Sequence, residues 1–561
     1  MKTSVDLESM LRDIDHKSYP AYKSLRGMYN FGAYALSIDR VQGDPFAAPS
    51  RLTIHITDKS SGFSSELWNS SDKKTAFCDF LLRRFAAAVQ KYSFQARGSG
   101  KSGALFATHP GQEVLNRTAC TIDKSGHTIL MRFEAGFPAN GRTINSRELR
   151  KILFEYLPAV VENSLYSRNT DKKALLAAIH LYEDQQALRA LLPVHGLTAF
   201  VADGAVLPRK TGVSNAPLKE AVPFHSPDSM RLTLTLPHHG EISGMGIRQG
   251  ITLIVGGGYH GKSTLLKALE VGVYNHIAGD GREFVITDST AVKLRAEEGR
   301  IVKSVDISPF INHLPNGKNT SCFSTEDASG STSQAAGVME GIEAGAKLFL
   351  IDEDTCATNF MVRDQLMQRV IAPDKEPISP FLGRVRPLFS SLGISTILVV
   401  GSSGAFFHTA DHIIQMDSYR AVDITAAAKK EASAFPVSYP EFSFSDIPAK
   451  RPLCLSPKQR DKERSPKIKV QGKDTLIYDR ETIDLRFVEQ LADEEQTRAL
   501  GYILLYLMEH PGKAPMSQQL TTLYQKLLTN GLESIVSSDC PPFIALPRLQ
   551  EIFACVNRCR F

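Results

Sequence analysis

The stretch GITLIVGGGYHGKSTLLKALE, residues 250–270, carries the strongest structural signal in the sequence. It fits the pattern G-x-x-x-x-G-K-S, in which Gly256 and Gly261 precede Lys262 and Ser263. A short apolar run typical of a buried strand precedes the glycines, and a helical pattern follows them. This order of strand, glycine-rich loop and helix is the context in which the pattern binds nucleotide phosphates.

The chemistry of such a loop predicts a role for each of its residues. Glycines let backbone N–H groups close around phosphate oxygens, and the N-terminus of the following helix adds a positive dipole. Lys262 is expected to reach the β- and γ-phosphates of ATP, and Ser263 to ligate Mg²⁺ through its hydroxyl. The predicted ATP-binding residues of this loop are Gly256, Gly257, Gly258, Tyr259, His260, Gly261, Lys262, Ser263 and Thr264.

A second apolar run ends in carboxylates. In KLFLIDED, residues 347–354, four apolar residues lead to Asp352 and Glu353. Asp352 is predicted to complete the Mg²⁺ site with Ser263. Glu353 is predicted to orient or activate water, and Glu353 and Lys262 are the predicted catalytic residues.

Two further segments connect these motifs to a known class of protein. In ASGSTSQAAG, residues 328–337, a Ser-Gly pair stands shortly before Asp352, and DEDTCATN, residues 352–359, follows it. The first resembles the signature motif of ABC-type ATPases. The second resembles their D-loop, with Asn359 where an aspartate is usual. With VQGDPFAAPSRL and LIDEDTCATNFMVRDQLM, these segments resemble the predicted ABC-class ATPase family, and the resemblance covers nearly the whole chain.

The resemblance implies a dimer and a ligand. In ABC ATPases the signature segment of one subunit completes the ATP site of the other. Ser329, Gly330 and Ser331 are therefore expected to bind ATP in trans, and the protein is expected to form a homodimer. The family includes a kinetoplastid mitochondrial RNA-binding ATPase, so nucleic acid, with RNA favoured, is the implied ligand.

The sequence departs from the ordinary ABC pattern at two sensing positions. No glutamine lies between Gly261 and Ser329, and Asp306 is only a candidate for that role. After the strand STILVVG, Ser402 and Ser403 stand where a switch histidine is expected. His408 and His412 are displaced from that place, and structural roles are favoured for both. These losses predict slow turnover rather than loss of ATP binding.

A second Gly-Lys-Ser string occurs in ARGSGKSGAL, residues 96–105. Gln95 stands where the first glycine of a phosphate loop is required, and a helical pattern rather than a strand precedes the string. A second ATP site is therefore disfavoured. Residues 73–150 hold thirteen Lys or Arg and five Asp or Glu, so the string lies in a basic region. Two interpretations of the string remain: a glycine turn on a solvated basic face, or a contact with nucleic acid. The nucleic-acid candidates are Arg97, Lys101, Ser102, Arg132 and Arg142, with Tyr92, Phe94 and Phe106 as aromatic side chains able to stack on bases or to fill the core.

The predicted fold class is α/β, with an ABC-type P-loop ATPase domain between an α+β N-terminal domain and a mainly helical C-terminal domain. The predicted domains are residues 1–225, the candidate nucleic-acid-binding domain, and residues 226–430, the ATPase domain. Residues 431–475 are predicted to be a basic linker, and residues 476–561 a helical C-terminal domain. Between Lys450 and Lys473 nine basic residues accompany two acids, which favours a solvated linker over a nucleic-acid contact.

The whole chain narrows the function further. A net charge of +5 over 561 residues says little about partners. No apolar run reaches the ~18 residues of a membrane helix, and no targeting segment is recognised, so a cytoplasmic protein without a membrane partner is expected. The favoured hypothesis is a dimeric ATPase in which ATP-driven closure is coupled to binding or remodelling of nucleic acid, with RNA favoured. The alternative is a slow ATP-binding switch that acts on a protein partner. A small-molecule kinase and a transport ATPase are disfavoured.

Overall fold

The structure is a computed structural model that describes residues 1–363, 370, 375–435, 441–444, 451–455, 467–536 and 539–560. The chain divides into two compact units. The first unit contains Met1–Glu183 and Asn530–Leu546, and the second contains Asp184–Thr529 and Pro547–Phe561.

The first unit is built on one large sheet. Its strands are β1 (Lys2–Thr3), β2 (Gly27–Asn30), β3 (Ala35–Arg40), β4 (Ser50–Thr57), β5 (Leu105–Phe106), β6 (Glu113–Val114), β7 (Cys120–Ile122), β8 (Thr128–Ala135), β9 (Ala139–Asn140) and β10 (Thr143–Ile144). Its helices are α1 (Ser4–Asp13), α2 (Asp58–Ser61), α3 (Ser71–Gln90), α4 (Ser146–Lys151) and α5 (Leu157–Ser164), while α6 (Lys172–Val194) spans the point at which the units divide. Seven strands form the sheet in the order β1-β2-β3-β4-β8-β5, with β7 also paired to β8.

Helix α3 covers this sheet with an apolar face. The Ser70 side chain caps the helix by accepting the N–H of Lys73. Phe77, Leu81 and Phe85 are buried, and their spacing of four residues places them on one side of the helix. The Phe85 ring lies 5.6 Å from the ring of Phe133 on β8, so the helix and the sheet share one core.

The second unit alternates strands and helices. Its strands are β11 (Leu197–Ala202), β12 (Arg209–Thr211), β13 (Ser214–Pro217), β14 (Arg231–Leu236), β15 (Gly240–Arg248), β16 (Ile251–Val255), β17 (Asn275–His276), β18 (Val285–Thr287), β19 (Val292–Leu294), β20 (Arg300–Val305), β21 (Phe323–Ala328), β22 (Leu348–Asp352), β23 (Ser395–Val399), β24 (His412–Asp417), β25 (Arg420–Asp423), β26 (Ile468–Gln471), β27 (Thr475–Tyr478) and β28 (Glu481–Asp484). Its helices are α7 (Lys262–Val271), α8 (Gly330–Glu343), α9 (Thr358–Met361), α10 (Leu382–Leu392), α11 (Thr425–Ala432), α12 (Glu494–Glu509), α13 (Met516–Asn530) and α14 (Leu549–Asn557).

A six-stranded sheet positions the candidate site in this unit. The strand order is β19-β22-β23-β16-β24-β25, and every pairing is parallel except that of β24 with β25. All residues of β16, β22 and β23 are buried, as expected for apolar strands of a parallel sheet covered on both faces. This sheet confirms the predicted α/β architecture.

The N-terminal boundary differs from the prediction. Strand β11 is hydrogen-bonded to β15 and β18, so it belongs to a four-stranded antiparallel sheet of the second unit. A boundary at residue 225 would separate β11 from both of its partner strands. The structure instead divides the chain after Glu183.

The C-terminal region contains a three-stranded antiparallel sheet, β26-β27-β28, before its helices. Residues 468–471 of the predicted linker therefore form a strand. Most of the basic stretch, residues 445–450 and 456–466, lies outside the described residues. Arg451 is described and is not a solvated linker residue, because its buried guanidinium pairs with Glu343. None of the helices in the described ranges combines the length and the apolar character that crossing a membrane requires.

Candidate functional site

The loop between β16 and α7, residues 256–263, is called the phosphate loop below. Gly256 has a φ of +134°, and a Cβ there would lie 2.3 Å from the carbonyl oxygen of Met416, so glycine is required. Gly261 has a φ of +100° and caps the N-terminus of α7. In the described part of the chain, no hydrogen bond takes the N–H groups of residues 257–261 as its donor. These N–H groups are therefore available to bind oxygen atoms of a ligand.

The side chain of Lys262 folds back across the phosphate loop. The Nζ atom of Lys262 donates to the carbonyl oxygens of Gly256, at 2.6 Å, and Gly257, at 2.8 Å. Ser263 is exposed in the first turn of α7, and Thr264 follows it half-buried. The ammonium group and the N-terminus of α7 thus bring positive charge to the same place.

A hairpin turn between β24 and β25 holds the phosphate loop from one side. The Nδ1 atom of His260 accepts the N–H of Ser418 at 2.9 Å, and the carbonyl oxygen of His260 accepts the N–H of Tyr419 at 3.2 Å. These two hydrogen bonds of His260 help to fix the conformation of the phosphate loop. Tyr259 has a φ of +63° and a fully exposed side chain.

The predicted acids lie at the same edge of the sheet as the phosphate loop. Asp352, the last residue of β22, is level with Val399 of β23, and Val399 is level with Ile254 of β16. Asp352 is buried, and its Oδ1 atom accepts the N–H of Asp354. The carboxyl ends of the parallel strands therefore place Asp352 and Glu353 beside the phosphate loop, with β23 between them.

Glu353 is held by the loop that follows β23. Its Oε2 atom accepts the N–H groups of Gly401, at 2.7 Å, and Ser402, at 2.9 Å. Its Oε1 atom accepts the hydroxyl of Ser402 at 2.8 Å. The residue that stands at the expected histidine position is thus a direct hydrogen-bond partner of the predicted catalytic carboxylate. His408 and His412 are not among the partners of Glu353 that the described residues provide.

The signature segment opens helix α8. Ser329 is the N-cap of this helix, and its side chain accepts the N–H of Thr332. The hydroxyl of Ser331 donates to Oδ1 of Asn359 at 2.7 Å, which joins the signature segment to the D-loop. Ser329, Gly330 and Ser331 line a groove of about 380 Å³, and no residue of the phosphate loop is among the described residues that line it.

One contact of the signature segment was not predicted from the sequence. Buried Gln334 accepts the N–H of Ala357 and so fixes the start of α9. The position of Gln334 inside the signature segment, five residues after Ser329, was the available signal. Asp306, the candidate for the missing glutamine, accepts the N–H and the hydroxyl of Ser308 with one carboxylate oxygen, so this oxygen serves a local turn.

The second Gly-Lys-Ser string forms a different structure, called the N-terminal glycine loop below (residues 97–103). The N–H groups of Ser99, Lys101 and Gly103 donate to backbone carbonyls of Ala139, Pro45 and Gly136, respectively. The N–H of Arg97 donates to Glu148 at 2.9 Å. The N–H of Ser102 donates to the carbonyl oxygen of Ser99, so five N–H donors of this loop are already used and few remain for a phosphate.

Two of the five nucleic-acid candidates have structural roles. Ser102 is buried, donates to the carbonyl oxygen of Ser99 and accepts the N–H of Ala139. Arg132 is only 9% exposed and donates to the carbonyl oxygen of Thr118 and the hydroxyl of Thr121. Their assignment to a nucleic-acid surface is therefore wrong, because internal acceptors take their donors.

The other three candidates, Arg97, Lys101 and Arg142, are exposed, although Arg142 pairs with Asp44 at 3.1 Å, and three exposed aromatic side chains lie in the same region of the first unit. Phe94 is 61% exposed and packs edge-on against Phe106, with ring centroids 6.2 Å apart. Phe46, which the sequence analysis missed, is 63% exposed and lies beside Gly100. Tyr92 stacks on Tyr156 against the core and is not part of this surface. The basic–aromatic surface is defined as Arg97, Lys101, Arg142, Phe46, Phe94 and Phe106.

Comparison with known proteins agrees with this geometry. Three family profiles match the chain: a P-loop domain at residues 171–447, the N-terminal domain of ATPases of the ABC class at residues 4–168, and the MRB1590 C-terminal domain at residues 467–561. The uncharacterized protein MJ1628 of Methanocaldococcus jannaschii is 31% identical over 264 residues, and the match spans 43% of this chain and 55% of that protein.

Two solved structures are also similar to parts of the chain. One is cbiO1 from Clostridium perfringens, part of the ABC transporter complex cbiONQ, with 12% identity and a TM-score of 0.26 over 42% of this chain and 93% of that one. The other is the ADP conformation of MJ1267, an ATP-binding cassette of an ABC transporter, with 13% identity and a TM-score of 0.22 over 35% of this chain and 89% of that one. By its three matching profiles and its central P-loop domain, this chain belongs to the ABC-class P-loop ATPases that carry an ABC-class N-terminal domain and an MRB1590-type C-terminal domain.

Proposed function

We propose that this protein hydrolyses ATP in a homodimer whose closure changes its hold on single-stranded nucleic acid, RNA in particular. One observation carries the proposal. The phosphate loop has available N–H groups and Lys262 at its mouth, and Asp352 and Glu353 lie at the same edge of the sheet. A loop of this kind binds a triphosphate, and the paired acids serve metal binding and attack by water.

The oxygen donors fit Mg²⁺. The exposed hydroxyl of Ser263 and the carboxylate of Asp352 are hard ligands of the type that Mg²⁺ prefers, and Asp352 spends only one oxygen on a protein N–H. When bound with ATP, the ion would neutralise charge that develops on the phosphates. Lys262 would bind the terminal phosphates, and Glu353 would orient the attacking water and accept its proton.

The contacts of Glu353 support slow turnover. Three donors from Gly401 and Ser402 hold the two carboxylate oxygens, so an attacking water must compete with them for the same oxygen atoms. This arrangement also favours the second candidate function, a slow ATP-dependent switch that acts on a protein partner. Binding of RNA with a steep salt dependence would separate the first function from the second.

The signature segment supports action in trans. The groove at Ser329 and Gly330 lies at the N-terminus of the 14-residue helix α8, where N–H groups and the helix dipole favour an anion. The groove is not lined by any described residue of the same chain's phosphate loop. A second copy would supply that loop, with ATP between the two subunits.

The basic–aromatic surface supports single-stranded nucleic acid as the ligand. Arg97 and Lys101 belong to the N-terminal glycine loop, and Arg142 lies next to it, because Ser99 is hydrogen-bonded to Ala139 and Gly141 just before Arg142. Exposed Phe46, Phe94 and Phe106 offer flat faces for unpaired bases, and the cations offer phosphate contacts. ATP-driven closure would alter binding only if the two dimer states differ in affinity for the strand.

The first experiment tests ATP hydrolysis and dimer closure. Glu353→Gln is expected to retain ATP binding, to lose turnover about 100-fold or more, and to sediment as a dimer with ATP and Mg²⁺. Ser329→Arg is its matched control, because the large side chain would block the groove and keep the protein monomeric. A folded Glu353→Gln protein that stays monomeric at saturating ATP contradicts the dimer.

The second experiment tests the nucleic-acid ligand. Binding of a uridine oligomer is measured over a salt series for the wild type and for the triple variant Arg97→Ala, Lys101→Ala, Arg142→Ala. Loss of three phosphate contacts is expected to reduce the salt slope by about 2. Phe94→Ala is expected to weaken binding without changing that slope. An unchanged slope in a folded triple variant rules out this surface.

A further inference from the structure

The turn between β24 and β25 contains an exposed tyrosine in an unfavourable backbone conformation. Asp417 pairs with Arg420, which leaves Ser418 and Tyr419 as a two-residue turn with φ values of +49° and +69°. Turns with two positive φ values strongly prefer Asn and Gly at these positions. A bulky side chain retained in such a conformation is a reason to look for a function.

This tyrosine is fixed next to the phosphate loop. The Tyr419 N–H donates to the carbonyl oxygen of His260, and the neighbouring Ser418 N–H donates to the His260 ring. A Cβ on Gly261 would lie 3.2 Å from Cδ1 of the Tyr419 ring. The side chain is nevertheless 56% exposed, so most of its ring is available to a ligand.

The strand order sets the direction in which a bound nucleotide runs. Strand β22, with Asp352 and Glu353 after it, lies on one side of β16, and β24 with its turn lies on the other side. A nucleotide whose terminal phosphate and Mg²⁺ face the acids extends its nucleoside away from them. The nucleoside is thereby directed to the side of the phosphate loop where Tyr419 lies.

We propose that Tyr419 is the stacking platform for the nucleotide base, and that it favours the larger purine bases over pyrimidines. This inference rests on the proposed binding of ATP at the phosphate loop. Stacking of an aromatic ring on a base depends on the shared flat area, and purines offer more of it. The base is thus bound by a turn at the end of the parallel sheet, and the triphosphate by the phosphate loop.

The test compares ATP with inorganic tripolyphosphate, which lacks a base. Affinities of the full-length protein are measured by calorimetry for Tyr419→Ala, Tyr419→Phe and Val422→Ala, an exposed control on the same hairpin. Tyr419→Ala is expected to bind ATP about 5- to 50-fold more weakly and tripolyphosphate unchanged. Tyr419→Phe and Val422→Ala are expected to stay within about twofold of the wild type. The preference for ATP over UTP is expected to shrink only in Tyr419→Ala.

The strained turn supplies a second readout. Tyr419→Gly is expected to raise the melting temperature of the ligand-free protein, since glycine suits a positive φ, and to lower ATP affinity as Tyr419→Ala does. Equal losses for ATP and tripolyphosphate, or a selective ATP loss in Tyr259→Ala instead, would overturn the inference. A wild type that binds neither compound contradicts the proposed function itself. A wild type that binds both, with Tyr419→Ala equal to it, contradicts only the role of Tyr419.

Discussion

The phosphate loop and the N-terminal glycine loop share the letters Gly-Lys-Ser but use their backbones in opposite ways. In the phosphate loop, the described residues leave the N–H groups of 257–261 without a protein acceptor, and the ten-residue helix α7 follows. In the N-terminal glycine loop, the N–H groups of Ser99, Lys101 and Gly103 bind carbonyl oxygens, and the short strand β5 follows. The position of the donors, rather than the letters, decides whether such a loop binds phosphate.

The largest expected effect separates the two lysines. Lys262→Ala is expected to lower ATP turnover about 1,000-fold, because the ammonium at the mouth of the phosphate loop is lost. Lys101→Ala is expected to leave turnover within about twofold, since Lys101 is exposed on a loop most of whose N–H donors are bound to protein acceptors. Steady-state hydrolysis and ATP binding are measured for both. A folded Lys101→Ala protein that no longer binds ATP would reverse the assignment of the loops.

One glycine from each loop, Gly103 and Gly258, tests whether the two loops also differ in how closely they are packed. Gly103 has a φ of +76°, and a Cβ there would lie 1.9 Å from the carbonyl oxygen of Ala96. Gly103→Ala is therefore expected to destabilise the first unit by about 3 kcal/mol. Gly258 has no atom within 4 Å of a Cβ position, so Gly258→Ala is expected to change stability by no more than about 0.5 kcal/mol.

Hydrogen exchange of the amides of residues 96–104 and thermal unfolding give the measurement for both glycine variants. Gly103→Ala should accelerate exchange in the N-terminal glycine loop, and Gly258→Ala should not. Equal melting temperatures for the two proteins would show that the glycines of the N-terminal loop are not needed for close packing.

Local patterns were sufficient to predict the phosphate loop, whereas contacts between residues far apart in the chain could not be predicted. Strand, glycines and helix lie within 21 consecutive residues, so the phosphate loop was predicted from residues 250–270 alone. The partners of Glu353 are 48 and 49 residues away in the chain, and no local pattern predicts that Ser402 donates to it. Arg132 resembles any basic surface residue until the fold places Thr118 and Thr121 around it. Burial of a charged side chain depends on partners that the fold supplies.

Replacement of one serine in each loop, Ser102 in the N-terminal glycine loop and Ser263 in the phosphate loop, is expected to have a smaller effect. Ser102→Ala would leave the buried N–H of Ala139 without its acceptor, and a loss of about 1–2 kcal/mol of unfolding free energy is expected. Ser263→Ala removes an exposed hydroxyl and is expected to leave stability unchanged while weakening the Mg²⁺ dependence of ATP binding. Thermal unfolding and ATP titrations with and without Mg²⁺ distinguish them. A Ser102→Ala protein as stable as the wild type would mean that the loop has another anchor at this point.

The smallest expected effect is a pH dependence of the N-terminal glycine loop. Glu148 accepts the N–H of Arg97 and the ammonium of Lys151. Burial raises the pKa of Glu148, but the hydrogen bonds from Lys151 and Arg97 outweigh it, and the pKa lies below its ordinary value of 4.5. Because the folded protein prefers the ionised carboxylate, its stabilising contribution is complete above pH 4.5 and is lost as the pH falls through the lowered pKa.

Hydrogen exchange of residues 96–104 is expected to report this change as extra opening of the N-terminal glycine loop below about pH 4.5, after correction for the intrinsic exchange rate. In Glu148→Gln the amide cannot ionise, so the opening of the loop should no longer change over this pH range. The phosphate loop has no equivalent carboxylate bound to its N–H groups among the described residues, so its amides serve as the internal control. If the amides of both loops became equally accessible on acidification, global unfolding would be the cause. Glu148 would then not account for a pH dependence specific to the N-terminal glycine loop.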